Sequence, residues 1–476
     1  MDSIYQDTIV APATVPGTGA ISIVRISGQK ALEIADAVVK VSKGNLLSAK
    51  GYTIHYGNVY EADGELLDQV LVSVFRSPRS YTGEDSVEIS THASRYIVQR
   101  LVELLLASGA RFAQPGEFTR RAFLNGKMDL AQAESVADVI SSTTEAAHHI
   151  AMSQFRGGFS KELEALRGRL LEMASLLELE LDFSEEEVEF AKRDQLLELV
   201  EATLSQVNSL ADSFHQGDMI KNGVPVAIVG VANAGKSSLL NALLGDDRAI
   251  VSAIPGTTRD TVEEVAVLDG VAFRFIDTAG LRDSSDTVEK LGIERSYRKL
   301  SSAEIVLGVL DFASDSLSLQ QQVSQILSGV DTRSQKLVFV LSKADLLDEN
   351  EVNKNVTNIN NFVSYADIKA DIIAISSKSS ESVNELKKRL SSIEKSLISN
   401  AASSLVTNIR HYEALRNAAS ALSEVKVSLS ANVPGDLVAE DLRRALSFIN
   451  SILGKDLGLD PETILHHIFK NHCIGK

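Results

Sequence analysis

The run Gly230-Val231-Ala232-Asn233-Ala234-Gly235-Lys236-Ser237 has the spacing G-x-x-x-x-G-K-S, which suits it to hold a chain of phosphates. Glycines let such a loop curl until its backbone N–H groups point inward. The lysine head then reaches the terminal phosphates, and the serine hydroxyl is placed to ligate Mg²⁺. Here Asn233, Ala234, Gly235, Lys236, Ser237 and Ser238 form the cradle. The apolar run Val224 to Val229 before it and the helical Ser238 to Leu244 after it supply the strand and helix that the loop must join. A nucleoside triphosphate is the expected ligand.

Later segments arrive in the order that a guanine-nucleotide site requires. Pro255-Gly256-Thr257-Thr258-Arg259-Asp260 offers a threonine to the magnesium shell. Asp277-Thr278-Ala279-Gly280 closes the apolar run Val271 to Ile276, setting a carboxylate by the metal and a glycine N–H by the γ-phosphate. Asp269-Gly270, with apolar runs on both sides, predicts a tight hairpin. Ser342-Lys343-Ala344-Asp345 follows the buried run Leu337 to Leu341; Asp345 can accept from the two N–H donors of guanine while Lys343 lays its stem on the ring. Ser376-Ser377-Lys378, after Ile372 to Ile375, presents a backbone N–H to the guanine oxygen. GTP is therefore preferred over ATP. Ser342 stands where asparagine usually opens this motif, so base affinity is expected to fall while base identity is kept, and Ser342→Asn is expected to tighten GDP binding. Leu281 is apolar where many GTPases place a water-orienting glutamine, which leaves that duty to another residue, with Glu289 a candidate.

Elements must position these residues, and 476 residues allow about three domains with ample core. Residues 1–122 read as a small α+β domain, with strands at Ala20 to Ile26 and Val70 to Phe75 and a hairpin turn at Asp63-Gly64. From 123 the pattern is helical: Leu163, Leu166, Leu170, Met173 and Leu177 form a stripe that reads as bundle core. Asp182 to Glu187 reads as a helix cap in preference to a metal-binding acidic cluster. A nucleotide-binding domain fills 220–384, and helical sequence returns over 385–476, with Leu442, Leu446, Ile449 and Leu453 on one face. Helical blocks on both flanks predict a P-loop domain, Ras-like and doubly wound, inserted into a helical bundle. The formal charge of −17 argues against a broad basic surface for wrapping nucleic acid, so an RNA contact must be local or shared with a partner. One cysteine, Cys473, excludes an internal disulfide. No signal-type or membrane-spanning run is present, predicting a cytoplasmic protein without a membrane anchor.

Tyr81-Thr82-Gly83-Glu84-Asp85, the run Pro115-Gly116-Glu117-Phe118-Thr119-Arg120-Arg121-Ala122-Phe123-Leu124-Asn125-Gly126-Lys127, Asn408-Ile409-Arg410-His411 and the terminal Cys473-Ile474-Gly475-Lys476 carry a more specific likeness. With the nucleotide motifs, they resemble, over nearly the whole chain, the bacterial and organellar tRNA modification GTPase family MnmE (TrmE). The resemblance implies a homodimer with an N-terminal tetrahydrofolate-binding and dimerisation domain (1–122), a helical domain in two parts (123–219 and 385–476) and an inserted GTPase domain (220–384). It implies a K⁺-stimulated GTP hydrolase that joins an FAD-containing partner, MnmG, in a heterotetramer. Together they add an aminomethyl or carboxymethylaminomethyl group to C5 of the wobble uridine of certain tRNAs, drawing one carbon from 5-formyltetrahydrofolate or methylenetetrahydrofolate.

By matching position, Asn233 with backbone oxygens around Ser252, Ile254 and Thr257 would hold K⁺, while Ser237 and Thr258 would hold Mg²⁺. Glu289 would orient the attacking water, with Lys236 and Asn233 also in the catalytic set. Arg25, Glu88, Lys127 and Lys476 match the folate contacts, and Cys473 would lie near the reactive centre of the folate. The tail, apolar at Ile468 and Phe469, is expected to dock on the N-terminal domain across the dimer. This chain departs from the family at Val15-Pro16-Gly17-Thr18-Gly19-Ala20, which lacks an arginine common there. It departs again at His92-Ala93-Ser94, where His-Gly-Gly is usual, and at Ala232, where proline is frequent. The alternative is an RNA or ribosome-assembly GTPase switch, which usually appends a basic RNA-binding domain where this chain has acidic helical flanks. The adjacent pairs His148-His149 and His466-His467 lack metal-ligand spacing and read as structural.

Overall fold

The computed structural model describes residues 7–182, 193–231, 233–245, 263–277, 300–311, 316–366, 368–398, 405–431, 433–456, 465, 468–470, 472 and 475. The acidic stretch after Asp182 lies outside these residues. The chain begins β1 (Ile9–Pro12), β2 (Ile21–Ser27), α1 (Ala31–Val38), β3 (Val39–Val41), β4 (Thr53–Tyr60), β5 (Leu66–Phe75), β6 (Ser86–His92), α2 (Arg95–Ala107) and β7 (Arg111–Phe112). Helices follow: α3 (Glu117–Leu124), α4 (Leu130–Ser141), α5 (Glu145–Phe155), α6 (Gly158–Asp182), α7 (Arg193–Asp212) and α8 (Phe214–Asn222). An α/β segment comes next, with β8 (Val224–Val229), α9 (Lys236–Leu244), β9 (Glu263–Leu268), β10 (Val271–Asp277), β11 (Ile305–Asp311), α10 (Ser316–Leu327), β12 (Lys336–Ser342), α11 (Glu349–Tyr365), β13 (Ala370–Ala374) and α12 (Ser380–Ile398). Two long helices close the chain, α13 (Ile409–Ser430) and α14 (Gly435–Leu453).

Two compact units result, the first made of Met1–Ile140, Ala151–Val207 and Ala414–Lys476. Its seven-stranded sheet has the order β3-β4-β5-β6-β2-β1-β7. Strand alternation divides its faces: Val24, Ile26, Val72, Val74, Val87 and Ile89 pack beneath Leu32 of α1 and Leu101 and Leu105 of α2. The opposite face exposes Ile21, Ile54, Tyr56 and Leu71. Asp63-Gly64 turns β4 into β5 as the sequence predicts, with Gly64 at φ 91°. In the helical part of this unit the α6 stripe from Leu163 to Leu177 is buried. It packs along α14, whose Leu442, Ile449 and Leu453 are buried too. Arg167 Nε ties the pair by donating to Asn450 Oδ1 at 2.9 Å.

The second unit is Ser141–Ile150 with Asn208–Glu413. Its six-stranded sheet runs β13-β12-β11-β8-β10-β9, parallel throughout except where β9 meets β10. Asp269 (φ 49°) and Gly270 (φ 82°) make the turn between those two, a left-handed pair that suits a two-residue hairpin. Leu239, Leu243 and Leu244 of α9 and Val383, Leu386 and Leu390 of α12 cover one face of the sheet. Leu319, Val323 and Ile326 of α10 and Ile359 and Val363 of α11 cover the other. Strands sealed on both faces read as unbroken apolar runs, as β8 and β12 do. Among the described residues no helix is long and apolar enough to cross a membrane.

Candidate functional site

The phosphate loop leaves the buried β8 at Gly230, where an added Cβ would lie 2.2 Å from the carbonyl oxygen of Val309 on β11. Only glycine fits so close to a neighbouring strand. Asn233 takes a left-handed φ of 62°, a conformation asparagine tolerates better than most residues. Gly235, at φ 96°, then opens α9, so that Lys236, Ser237 and Ser238 stand in its first turn. The free N–H groups and dipole of a helix start favour an anion there. Lys236 folds back over the loop, its Nζ donating at 2.8 Å to the carbonyls of Gly230 and Val231. The lysine head is thus held over the cradle of backbone amides.

Asp277 ends β10 in register with Ile228 of β8, two residues before Gly230, where the phosphate loop begins. Ser252, Ile254, Thr257, Thr258, Thr278, Ala279, Gly280 and Glu289 lie outside the described residues. Among the described residues no cluster of histidine, cysteine or acidic side chains could hold a metal. The expected Mg²⁺ and K⁺ sets need no such cluster, since beside the lone Asp277 carboxylate they draw on hydroxyl, amide and backbone oxygens and on the nucleotide. Ser237 in the first turn of α9 and Asn233 in the exposed bend fit those roles.

Strands β11, β12 and β13 bring the base-recognition residues to the same edge of the sheet. Lys343 is held at φ 62°, with its Nζ 2.7 Å from Asp311 Oδ2 at the end of β11. Lys378 Nζ lies 3.1 Å from Asp345 Oδ2. Lys378, followed by the Ser376 hydroxyl, holds the Asp345 carboxyl below its usual range. The Ser376 hydroxyl also accepts the backbone N–H of Lys378 at 3.3 Å, closing a turn that leaves Ser377 exposed at its tip.

Ser342 departs from its expected part. Its side chain is buried, and its hydroxyl is directed at two carbonyls, Ala234 O in the phosphate loop at 2.5 Å and Leu310 O on β11 at 3.0 Å. An added Cβ on Gly235 would touch it at 3.6 Å. The short side chain therefore fastens the end of β12 to the phosphate loop. Asp311 is the partner that sequence reasoning missed; its only signal is its place at the end of an apolar run.

On the N-terminal sheet Arg25 and Glu88 face one another in register on β2 and β6, with Arg25 Nη2 2.8 Å from Glu88 Oε1. The Arg25 guanidinium lies over the rings of Tyr81 (5.4 Å) and Phe118 (5.7 Å), and its Nη1 donates to the carbonyl of Gly475 at 3.0 Å. Tyr81, anchored by its hydroxyl to Thr119 at 2.8 Å, belongs to a motif visible in the sequence but was not singled out. Lys127 reaches the loop that carries Tyr81, donating to Pro78 O at 2.9 Å. Cys473 and Lys476 lie outside the described residues, but their neighbours show where the tail goes. Gly475, at φ 100°, is pressed so closely on Pro12 that a Cβ would lie 2.2 Å from its carbonyl oxygen. Phe469 is buried with Leu130 and Ala133. Within the one chain described, the tail therefore seats on the N-terminal sheet, with Phe469 buried among apolar anchors of α4 and Gly475 against Pro12.

Comparison with known proteins decides the family. Residues 8–127 match the model described as the GTP-binding protein TrmE N-terminus, and residues 130–473 match that of the MnmE helical domain. The chain belongs to the MnmE (TrmE) family. The tRNA modification GTPase MnmE of Bacteroides thetaiotaomicron is 47% identical over 473 residues, covering 99% of this chain and 100% of that protein. The Flavobacterium johnsoniae protein of the same name is 47% identical over 477 residues, with the same coverage. Family membership thus extends across both units, over the Arg25–Glu88 pair and the tail as well as the nucleotide motifs.

Proposed function

We propose that this protein is a K⁺-stimulated GTPase that works with an FAD-containing MnmG partner to modify C5 of the wobble uridine of tRNA, with a tetrahydrofolate as one-carbon donor. The observation that carries the reading is the meeting of phosphate loop and base motif at one sheet edge, joined through Ser342 Oγ, with Lys236 folded over the loop and Asp345 paired with Lys378. Family membership supplies the tRNA substrate class.

Lys236 and the loop amides bind the phosphates, and Asp345 with the Ser376-Ser377-Lys378 turn selects the base. Ser237 and Thr258 would hold Mg²⁺, and Asn233 with oxygens of Ser252, Ile254 and Thr257 would hold K⁺. Bound there, the two cations would supply positive charge to offset what develops between the β- and γ-phosphates. Glu289 orients the attacking water, since Leu281 has no polar group with which to do so. Residues 1–122 serve as the folate-binding and dimerisation domain and 123–219 as the first part of the helical domain; the GTPase domain, expected over 220–384, runs on through α12, because Leu386 and Leu390 pack on its sheet, and the helical domain resumes after that helix. The exposed Ile21, Ile54, Tyr56 and Leu71 give the N-terminal sheet an apolar face suited to a second copy. Arg25, Glu88 and Lys127, with Lys476, would hold the folate, and Cys473 would act at its reactive carbon. The place of action is the cytoplasm.

Two measurements test the reading. Hydrolysis should be faster in K⁺ than in Na⁺ at equal ionic strength, and tRNA from a strain lacking the protein should lose a wobble-uridine modification when analysed by nucleoside mass spectrometry. Equal rates in the two salts would remove the potassium role, and an unchanged nucleoside profile would remove the tRNA role.

A further inference from the structure

Helix α8 is joined to β8, the strand that carries the phosphate loop, by Gly223 alone. Gly223 is pressed onto β10: an added Cβ would lie 3.2 Å from the carbonyl of Ala272 and 3.3 Å from the amide of Arg274. On the same helix His215 Nε2 lies 3.0 Å from Glu304 Oε1, and the Glu304 backbone is bonded to Pro225 O at 2.9 Å and to Lys336 N at 2.7 Å. The helix is thus fastened to the ends of three strands of the nucleotide-binding sheet.

The chain returning from α12 comes back onto this helix. Leu405, Val406 and Thr407 belong to no helix or strand, yet all three are buried. Gly217, in the middle of α8, lies directly beneath Val406, and a Cβ there would come within 2.1 Å of the Val406 carbonyl oxygen. The Val406 N–H donates to Ser213 Oγ at 3.1 Å, and that hydroxyl donates to Leu210 O at 2.6 Å. Phe214 stacks on Tyr412 at 4.8 Å with the rings 21° from parallel. Leu405 completes a small core with Ile220 and, from α5, Ala147 and Ile150.

Entry to and exit from the nucleotide-binding sheet are therefore locked to one short helix by a backbone-on-backbone contact. Close-packed contacts of this kind pass on displacement with little slack. β8 is hydrogen-bonded to strands on both sides, so a shift of the phosphate loop reaches α8 through a single residue. We propose that α8 and the segment Leu405–Tyr412 form the lever that carries the state of the nucleotide to the reaction on tRNA, with Gly217 against Val406 as its joint. The proposal rests on the function proposed above and goes beyond it, naming positioning residues outside the nucleotide and folate sites.

The test uses the full-length protein with its flavin partner, a folate donor and tRNA, and compares the wild type with Gly217→Ala, Ser213→Ala and Ser213→Thr. GTP hydrolysis and GDP affinity are measured on the same preparations as tRNA modification. Gly217→Ala should hydrolyse GTP and bind GDP like the wild type while modification falls by about 5- to 150-fold, the span of a typical coupling between sites. Ser213→Ala should show a smaller loss of the same kind, restored by Ser213→Thr, which keeps the hydroxyl. Equal loss of hydrolysis and modification in Gly217→Ala would reduce the contact to a structural one, and wild-type modification would overturn the lever outright. Should Gly217→Ala fail to fold, the Ser213 pair decides, since equal modification by Ala and Thr also overturns it. A wild-type protein that hydrolyses GTP but modifies no tRNA would refute the functional reading itself, an outcome distinct from all of these.

Discussion

Replacing Ser342 with alanine removes one hydroxyl, and the consequence depends on which bond that hydroxyl makes. It faces Ala234 O in the phosphate loop and Leu310 O on β11, with the side chain itself buried. A buried acceptor stripped of its donor costs about 1–3 kcal/mol. If the loop must then be ordered by the nucleotide, the full cost appears as weaker binding, about 5- to 150-fold in the dissociation constant. Titration with a fluorescent GDP analogue measures this directly. Inosine diphosphate separates the two possible causes, because it lacks the exocyclic amine of guanine. A fastening of the phosphate loop lowers the affinity for both nucleotides by the same factor, whereas a contact to that amine would penalise GDP more. Wild-type GDP affinity, or a loss confined to GDP, would refute the loop role. The same geometry reverses the expectation for Ser342→Asn: the bond to the loop is already made, so asparagine should not tighten GDP binding.

Glu289→Ala should slow turnover far more than it weakens GTP binding, because a water-orienting group acts in the transition state; a fall in affinity with unchanged kcat would reject it. Gly475→Ala should dislodge the tail, since a Cβ there would lie 2.2 Å from Pro12 O, abolishing tRNA modification at an unchanged GTP hydrolysis rate. Full modification by that variant would show that the tail need not sit on this sheet. Burial holds the His472 imidazole below its ordinary value, against the pull of Glu134 and Asp138, so the docked tail favours neutral histidine. Its contribution is complete above the ordinary value of about 6.5 and is lost as pH falls through the docked one. Cleavage of the tail by an acid-tolerant protease should therefore increase as pH falls below the ordinary histidine value, and His472→Phe should flatten that dependence.

The nucleotide site is legible in the sequence because its chemistry is local: Gly230 to Ser237 lie in one turn of chain, and the strands flanking them are apolar without a break. The hairpin at Asp269-Gly270 is legible for the same reason, as two left-handed residues announce it. What spacing does not encode is the partner across the sheet. Asp311 meets Lys343 because β11 and β12 run in register, Asp311 opposite Ser342, and no local pattern states that pairing. Ser342 looks like a weakened base contact in the sequence and becomes a loop fastening only once Ala234 and Leu310 are seen beside it.

The N-terminal site shows the same limit more sharply. Arg25 and Glu88 are matched there by family resemblance, yet β2 and β6 place them as each other's counter-ion, and the remaining reach of Arg25 goes to the carbonyl of Gly475. A guanidinium already balanced by a carboxylate gains less from an anionic ligand than an uncompensated charge would. Lys127, by contrast, is exposed at its head, and the bond that its Nζ makes to Pro78 O is one to a neutral carbonyl. In the proposed folate site the anionic end is therefore better met by Lys127. Arg25 would take the smaller share of that charge, since its guanidinium is already paired with Glu88, lies over the Tyr81 and Phe118 rings and bonds the Gly475 carbonyl.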